Sequence, residues 1–277
     1  SMRSKSTKII SSHPNILDVV GTGGDGTNTF NISTTSALIV SATGQVVAKH
    51  GNRSVSSNSG AADVLKELGV NIEISPEKIG NCLDEVGIAF LFAPLLHGAM
   101  KHAIGPRREL AMRSIFNVMG PLTNPANAET LLVGVYSEML TELIADVLSK
   151  LDCKRALVVH GLDGMDEITL CTSTKVSEWN GKEINTYTIS PEDFGLQKAE
   201  SVELLGGDPK ENAQITRRIL DGEKGAKRDI VLMNVSAALL VSGNVDNFLD
   251  GVNLAAETID NGDASKKLDQ LIEVTNS

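Results

Sequence analysis

Aromatic residues are scarce in this chain of 277 residues: one Trp, two Tyr and six Phe make up 3% of it. Basic residues are outnumbered too, 25 Lys and Arg against 35 Asp and Glu, for a formal charge of −10. A nucleic-acid surface needs the opposite sign and more stacking rings, so that class is disfavoured. Cysteines are few, and Cys82, Cys153 and Cys171 are too widely spaced for a disulfide framework or a zinc site. They are expected to be reduced, buried thiols. No apolar run approaches the roughly 20 residues that span a bilayer, and the first residues contain no signal-peptide apolar core. The expectation is a soluble cytoplasmic protein with no membrane partner. Tandem repeats and low-complexity segments are also missing, as is any Ser-His-Asp or paired-carboxylate arrangement suited to acid-base catalysis.

What is present is an alternation of short apolar runs with stretches of helical spacing, the pattern of an α/β domain whose largely parallel sheet is covered on both faces. Strands are expected at Ile16–Val20, Gln45–Ala48, Ile88–Ala93, Leu131–Val135 and Ala156–His160. Helices are expected at Ser33–Thr43, Gly60–Leu68, Ser75–Glu85 and Glu138–Lys150, and from Pro209 to the end. Gly44 and Gly69 stop two of these helices as C′ residues, and Ser75-Pro76-Glu77 starts another with a cap followed by proline. Trp179-Asn180-Gly181-Lys182 carries an Asn-Gly hairpin signal. The length suits one domain, residues 1–277, and the alternation breaks between Leu95 and Pro125, where an inserted helical segment is expected. That segment holds His97, Lys101, His102, Arg107, Arg108 and Arg113, a basic cluster able to focus an anion on an otherwise acidic protein.

Two glycine-rich loops follow the first two strands: Gly21-Thr22-Gly23-Gly24-Asp25-Gly26, then Lys49-His50-Gly51-Asn52-Arg53 running on to Ser56-Ser57-Asn58-Ser59-Gly60. Each leads into a helix, where unpaired N–H groups and the helix dipole favour phosphate, and glycine lets the backbone approach it. A third loop, His160-Gly161-Leu162-Asp163-Gly164-Met165-Asp166-Glu167, ends the strand at 156–160, on the sheet edge where α/β proteins bind ligands. Asp166 and Glu167 on that loop suit Mg²⁺, which usually bridges one or two carboxylates to substrate phosphates. A cation is also needed on electrostatic grounds, because a polyphosphate beside Asp25, Asp166 and Glu167 would otherwise be repelled.

Gly21–Gly26, Asn31-Ile32-Ser33-Thr34, Lys49–Arg53, the serines up to Gly60, Arg107-Arg108-Glu109-Leu110, Asn117 to Asn124 and Gly164–Glu167 together resemble the anthranilate phosphoribosyltransferases of tryptophan biosynthesis. The resemblance implies a fold shared with the pyrimidine nucleoside phosphorylases, and transfer of phosphoribosyl from phosphoribosyl pyrophosphate (PRPP) to the amine of anthranilate. It implies donor contacts from Gly21, Gly24, Asp25, Thr29, Asn31, Ile32, Ser33 and Thr34. Further donor contacts are implied from Lys49, His50, Gly51, Asn52, Arg53, Ser54, Val55, Ser56, Ser57 and Ala61. Gly21, Asn52 and Arg107 are implied at anthranilate, with His50 near the acceptor channel, and Ser33, Asp166 and Glu167 as Mg²⁺ ligands. The family is homodimeric and carries several helices ahead of the first glycine loop, where this sequence has about twenty residues. Only remnants of the small helical subdomain are therefore expected, with Leu95, Leu96, Met100 and Ile104 short of apolar neighbours. Two other readings stay open at this point: a pyrimidine nucleoside phosphorylase, and a non-catalytic relative of the same fold.

Overall fold

The computed structural model describes residues 2–53, 59–98 and 115–277. One seven-stranded sheet organises them, in the order β3-β2-β1-β4-β5-β6-β7. The strands are β1 Leu17–Gly21, β2 Val47–Gly51, β3 Ile88–Phe92, β4 Thr130–Gly134, β5 Arg155–Gly161, β6 Thr174–Trp179 and β7 Ile184–Ile189. The first five are parallel; β6 and β7 form the antiparallel hairpin that the Asn-Gly signal announced. The chain crosses from β1 to β2 on one side, while β4 lies against β1 on the other. The order therefore reverses between β1 and β4, and a crevice opens there at the carboxyl ends of the strands.

Alternation along the strands divides the core by face. Leu17, Val19, Val47, Phe90, Leu132 and Leu157 point to the larger cluster. It is covered by α1 (Ile32–Ala42), α2 (Ala61–Glu67) and four later helices: α5 (Pro209–Leu220), α6 (Ala226–Ser242), α7 (Phe248–Asp260) and α8 (Asp263–Asn276). On the opposite face, α3 (Pro76–Glu85) packs over β2 and β3, and α4 (Leu140–Ser149) packs over β4 and β5. Helix α1 is buried almost all round, as its apolar and small residues require. Ser75 caps α3 by accepting from the Lys78 N–H at 3.2 Å.

Apart from the inserted segment, the expected elements are present, with two revisions. Strand β2 runs on through Lys49, His50 and Gly51, because its in-register pairing with β3 continues to Gly51↔Phe92. The opening of the second glycine-rich loop is therefore strand. Leu96 is fully buried against Ile9, Ile79 and Ala126 rather than short of neighbours, and only Leu95 of that pair is exposed. Met100, Ile104 and most of the expected inserted segment lie outside the described residues.

Candidate active site

Gly21 and Gly134 face each other in register at the carboxyl ends of β1 and β4. Neither position has room for a side chain. A Cβ on Gly21 would stand 2.5 Å from Asp166 Oδ2, and one on Gly134 would collide with the carbonyl oxygen of Asp166. The paired glycines thus cut a notch in the sheet edge into which the loop after β5 descends. There Asp166 Oδ2 accepts the Gly23 N–H at 2.6 Å. The first glycine loop can present that N–H because Gly23, Gly24 and Gly26 take φ of 66°, 75° and 81°, which other residues rarely adopt.

The descent brings Asp25, Asp166 and Glu167 together, with carboxylate oxygens within 4.8 Å of one another. Burial, reinforced by the Asp25 charge, pushes the Asp166 carboxyl up to about 7. Burial and then the charges of Asp166 and Asp25 hold Glu167 well above the usual carboxylate range, although Lys49 and the Ser33 N–H pull it down. Asp166 and Glu167, crowded together beside Asp25, resist ionising together unless something positive joins them. An all-oxygen acidic donor set suits a hard divalent cation.

Between β1 and β2 the ladder holds only at Leu17↔Val47. Beyond it, side chains take over the backbone groups. Asp18 accepts from the His50 N–H at 3.1 Å, Asn124 Nδ2 donates to Asp18 at 2.7 Å and to the Ala48 carbonyl at 2.8 Å, and Lys49 Nζ donates to the Val19 carbonyl at 2.7 Å. This polar wedge lies between the two glycine-rich loops. Lys49 Nζ also reaches Ser33 Oγ at 3.3 Å. Burial lowers the Lys49 ammonium to about 8, opposed by the charges of Asp18, Glu167 and Asp166, so it stays charged at neutral pH beside the acid cluster. Burial raises Asp18 to about 6.

His50 lies on the other face of β2. Its Nδ1 is 3.2 Å from the Gly120 carbonyl and its Nε2 is 3.1 Å from Nε2 of His97. The carbonyl can only accept, so Nδ1 carries the His50 proton and Nε2 accepts from His97. Burial holds both rings neutral, His50 down at about 3. His97 therefore adds no charge to the basic cluster in which the sequence placed it. The other members of that cluster, Lys101, His102, Arg107, Arg108 and Arg113, lie outside the described residues.

Comparison with known proteins shows the family. The glycosyl transferase family, a/b domain, matches residues 13–265. An anthranilate phosphoribosyltransferase of Acetivibrio thermocellus is 55% identical over 276 residues, covering all of this chain and 80% of the relative. The chain belongs to the anthranilate phosphoribosyltransferase family. Among solved structures, the Thermus thermophilus anthranilate phosphoribosyltransferase superposes with a TM-score of 0.95 at 41% identity, covering all of this chain and 82% of that one. The Saccharomyces cerevisiae enzyme in complex with PRPP and Mg superposes at 0.93 with 31% identity, covering 99% and 77%.

The residues that the phosphoribosyltransferase resemblance singled out fall into three groups. Gly21, Gly24, Asp25, Ser33, Lys49, Asp166 and Glu167 surround the crevice at the ends of β1 and β4. Asp25, expected at the donor, proves to be the third member of the acid cluster. Others are committed to local structure. Thr29 bridges to Leu205, and the Asn31 side chain is held by Ser59 Oγ at 3.2 Å and Asn212 Nδ2 at 3.1 Å. Ile32 is fully buried, with its N–H on the Phe30 carbonyl. Thr34 Oγ1 is buried with no partner among the described residues. Gly51 packs on Phe90 and Ala61, Asn52 Oδ1 accepts the Arg53 N–H at 2.7 Å, and Arg53 pairs with Glu73 at 3.5 Å above the Phe92 ring. Ser54, Val55, Ser56, Ser57 and Arg107 lie outside the described residues. Sequence reasoning missed Asp18 and Gly134, whose roles depend on a neighbouring strand and leave no local signal.

Proposed function

We propose that this chain catalyses transfer of phosphoribosyl from PRPP to the anthranilate amine, with Mg²⁺ held by Asp25, Asp166, Glu167 and Ser33. The observation that carries the reading is the acid cluster, with Asp166 buried, set into the Gly21–Gly134 notch and facing the first glycine loop at the switch point of the sheet. When bound, the cation supplies positive charge to the pyrophosphate as it departs.

The chain's own residues do the rest. The bond from ribose C1 to the pyrophosphate oxygen breaks, the bond from C1 to the anthranilate nitrogen forms, and one amine proton is released. Catalysis of such a step consists of stabilising the leaving group and holding the nucleophile in line. Backbone N–H groups of the first loop and the Lys49 ammonium meet the anionic donor, while Asn52 and Arg107 hold anthranilate. Arg107 offers a two-pronged fork to the acceptor carboxylate. The aromatic amine is already neutral at pH 7, so no strong base is required. His50, neutral and with its proton fixed on Nδ1, supports the acceptor side by packing and shape rather than by taking a proton. Contacts from Gly24, Thr29 and Thr34, from Ser54–Ser57 and from Ala61 belong to the same reading, as does the homodimer, which sedimentation at assay concentration checks.

The test follows anthranilate fluorescence. Its decay should require both PRPP and Mg²⁺. Phosphorolysis of uridine or thymidine without any loss of anthranilate would overturn the proposal in favour of a nucleoside phosphorylase.

A further inference from the structure

In the middle of α6, within the run of small and apolar residues from Asn234 to Leu240, stands a buried asparagine. Asn234 is only 2% exposed. Asparagine is a poor helix former, and burying its amide costs unless the amide is fully bonded, so both local preference and burial argue for an aliphatic residue here. The amide is bonded at three points. Nδ2 donates to the Ile230 carbonyl one turn back at 2.9 Å. The other two bonds go to the backbone of a single residue elsewhere: Nδ2 donates to the Ile168 carbonyl at 2.9 Å, and Oδ1 accepts the Ile168 N–H at 3.1 Å. Asn234 thus does for Ile168 what a neighbouring strand would do, and Ile168 directly follows Glu167.

The upstream side of the acid loop is tied by a different residue. Asp163 accepts from the Met165 N–H at 3.3 Å and from Thr169 Oγ1 at 2.6 Å, and the Gly161 N–H donates to the Met165 carbonyl at 2.9 Å. Asp166 and Glu167 therefore project from a short stretch pinned at both ends. Pinning has a physical purpose, since buried carboxylates crowded together repel one another and a loose loop would let them part.

We propose that Asn234 is a positioning residue for the cation site: its two-point grip on Ile168 fixes the backbone that aims Glu167, and with it Asp166, at Asp25. The inference rests on the reading that this cluster holds a divalent cation. Outer partners that orient metal ligands typically contribute about 10–100-fold to metal affinity.

The experiment measures Mn²⁺ binding in the presence of pyrophosphate, by the electron paramagnetic resonance signal of the free ion, alongside thermal melting. Asn234→Leu removes all three bonds while keeping the volume filled, and Asn234→Asp keeps the acceptor but removes both donors. Ser236→Ala is the control, since Ser236 Oγ lies in the same helix and donates to the Phe248 carbonyl at 2.7 Å, away from the acid loop. The expected result is a loss of at least about tenfold in Mn²⁺ affinity in whichever Asn234 variants melt cooperatively. The same factor should appear in the Mg²⁺ concentration for half-maximal turnover. Ser236→Ala should melt earlier yet bind Mn²⁺ as the unsubstituted chain does. Wild-type affinity in a folded Asn234 variant, or an equal loss in Ser236→Ala, overturns the positioning role. Failure of the unsubstituted chain to bind Mn²⁺ overturns instead the cation site on which it rests.

Discussion

Replacing Gly134 with alanine adds one methyl group and strikes at the acid cluster without touching any of its carboxylates. The new Cβ falls on the carbonyl oxygen of Asp166, a backbone atom that cannot rotate aside. To regain ordinary van der Waals separation the loop has to retreat by roughly 1.5–2 Å. The retreat breaks the 2.6 Å bond from the Gly23 N–H to Asp166, a charged hydrogen bond of about 1.5–3 kcal/mol. Residual overpacking adds about 1–3 kcal/mol. A total of about 2.5–6 kcal/mol, at about 2–4 °C per kcal/mol for a domain near this size, lowers Tm by on the order of 10 °C. The same displacement should reduce turnover at saturating Mg²⁺ by about 100-fold. Differential scanning calorimetry and the anthranilate fluorescence assay read the two effects. Gly26→Ala provides the contrast, because a Cβ there meets nothing within 4 Å and the cost is only the φ of 81°, about 1 kcal/mol. A Gly134→Ala protein that melts within a degree or two of the unsubstituted chain, with unchanged Mg²⁺ dependence, would refute the notch as the device that seats the acid pair.

Glu167→Gln and Asp166→Asn should each cut turnover by at least about 100-fold, yet leave the metal-free fold as stable or more so, since each removes a buried charge; a metal-free variant with lowered Tm would contradict this. Stability should also depend on pH in a definite direction. Asp18 and Asp166 have folded-state values raised from 3.8 to about 6 and about 7, so between about pH 4 and 7 the folded state holds more protons than the unfolded one, and their contribution falls as pH rises. A bound cation takes the place of the Asp166 proton, and the gain in Tm on adding Mg²⁺ should therefore be larger at pH 8 than at pH 5; a gain independent of pH counts against it. Arg107→Ala should raise the KM for anthranilate by about 10–100-fold, the loss expected of a charged two-pronged contact, with PRPP affinity nearly unchanged. A calorimetric titration showing an equal loss for PRPP would move Arg107 to the donor.

Local rules made most of the fold legible. The capped start of α3, the glycine stops at Gly44 and Gly69 and the Asn-Gly hairpin are each written within a few residues, and each is found where it was read. The glycine loops and the Asp166-Glu167 pair were legible for the same reason. What stayed hidden depends on contacts distant in sequence. Gly134 reads as the end of a strand until Asp166 is placed above it, 32 residues later in the chain. Asp18, inside an apolar run, gives no hint that it replaces ladder bonds for His50, and Asn234 looks like an ordinary member of a small-residue helix. His97 was misjudged because charge was counted along the sequence, whereas burial against His50 removes that charge. The second loop was drawn three residues too early, since Lys49, His50 and Gly51 look like loop residues but pair with Phe90, Leu91 and Phe92 of β3.

The central claim is that Asp25, Asp166 and Glu167 hold the cation that carries the donor's pyrophosphate. Anomalous diffraction from crystals grown with Mn²⁺ and PRPP tests it most directly. The account predicts a manganese peak at direct coordination distance, about 2.1 Å, from carboxylate oxygens of this cluster, with pyrophosphate oxygens completing its shell beside the first glycine loop. PRPP bound with manganese elsewhere, or with none at Asp166 and Glu167, would contradict it.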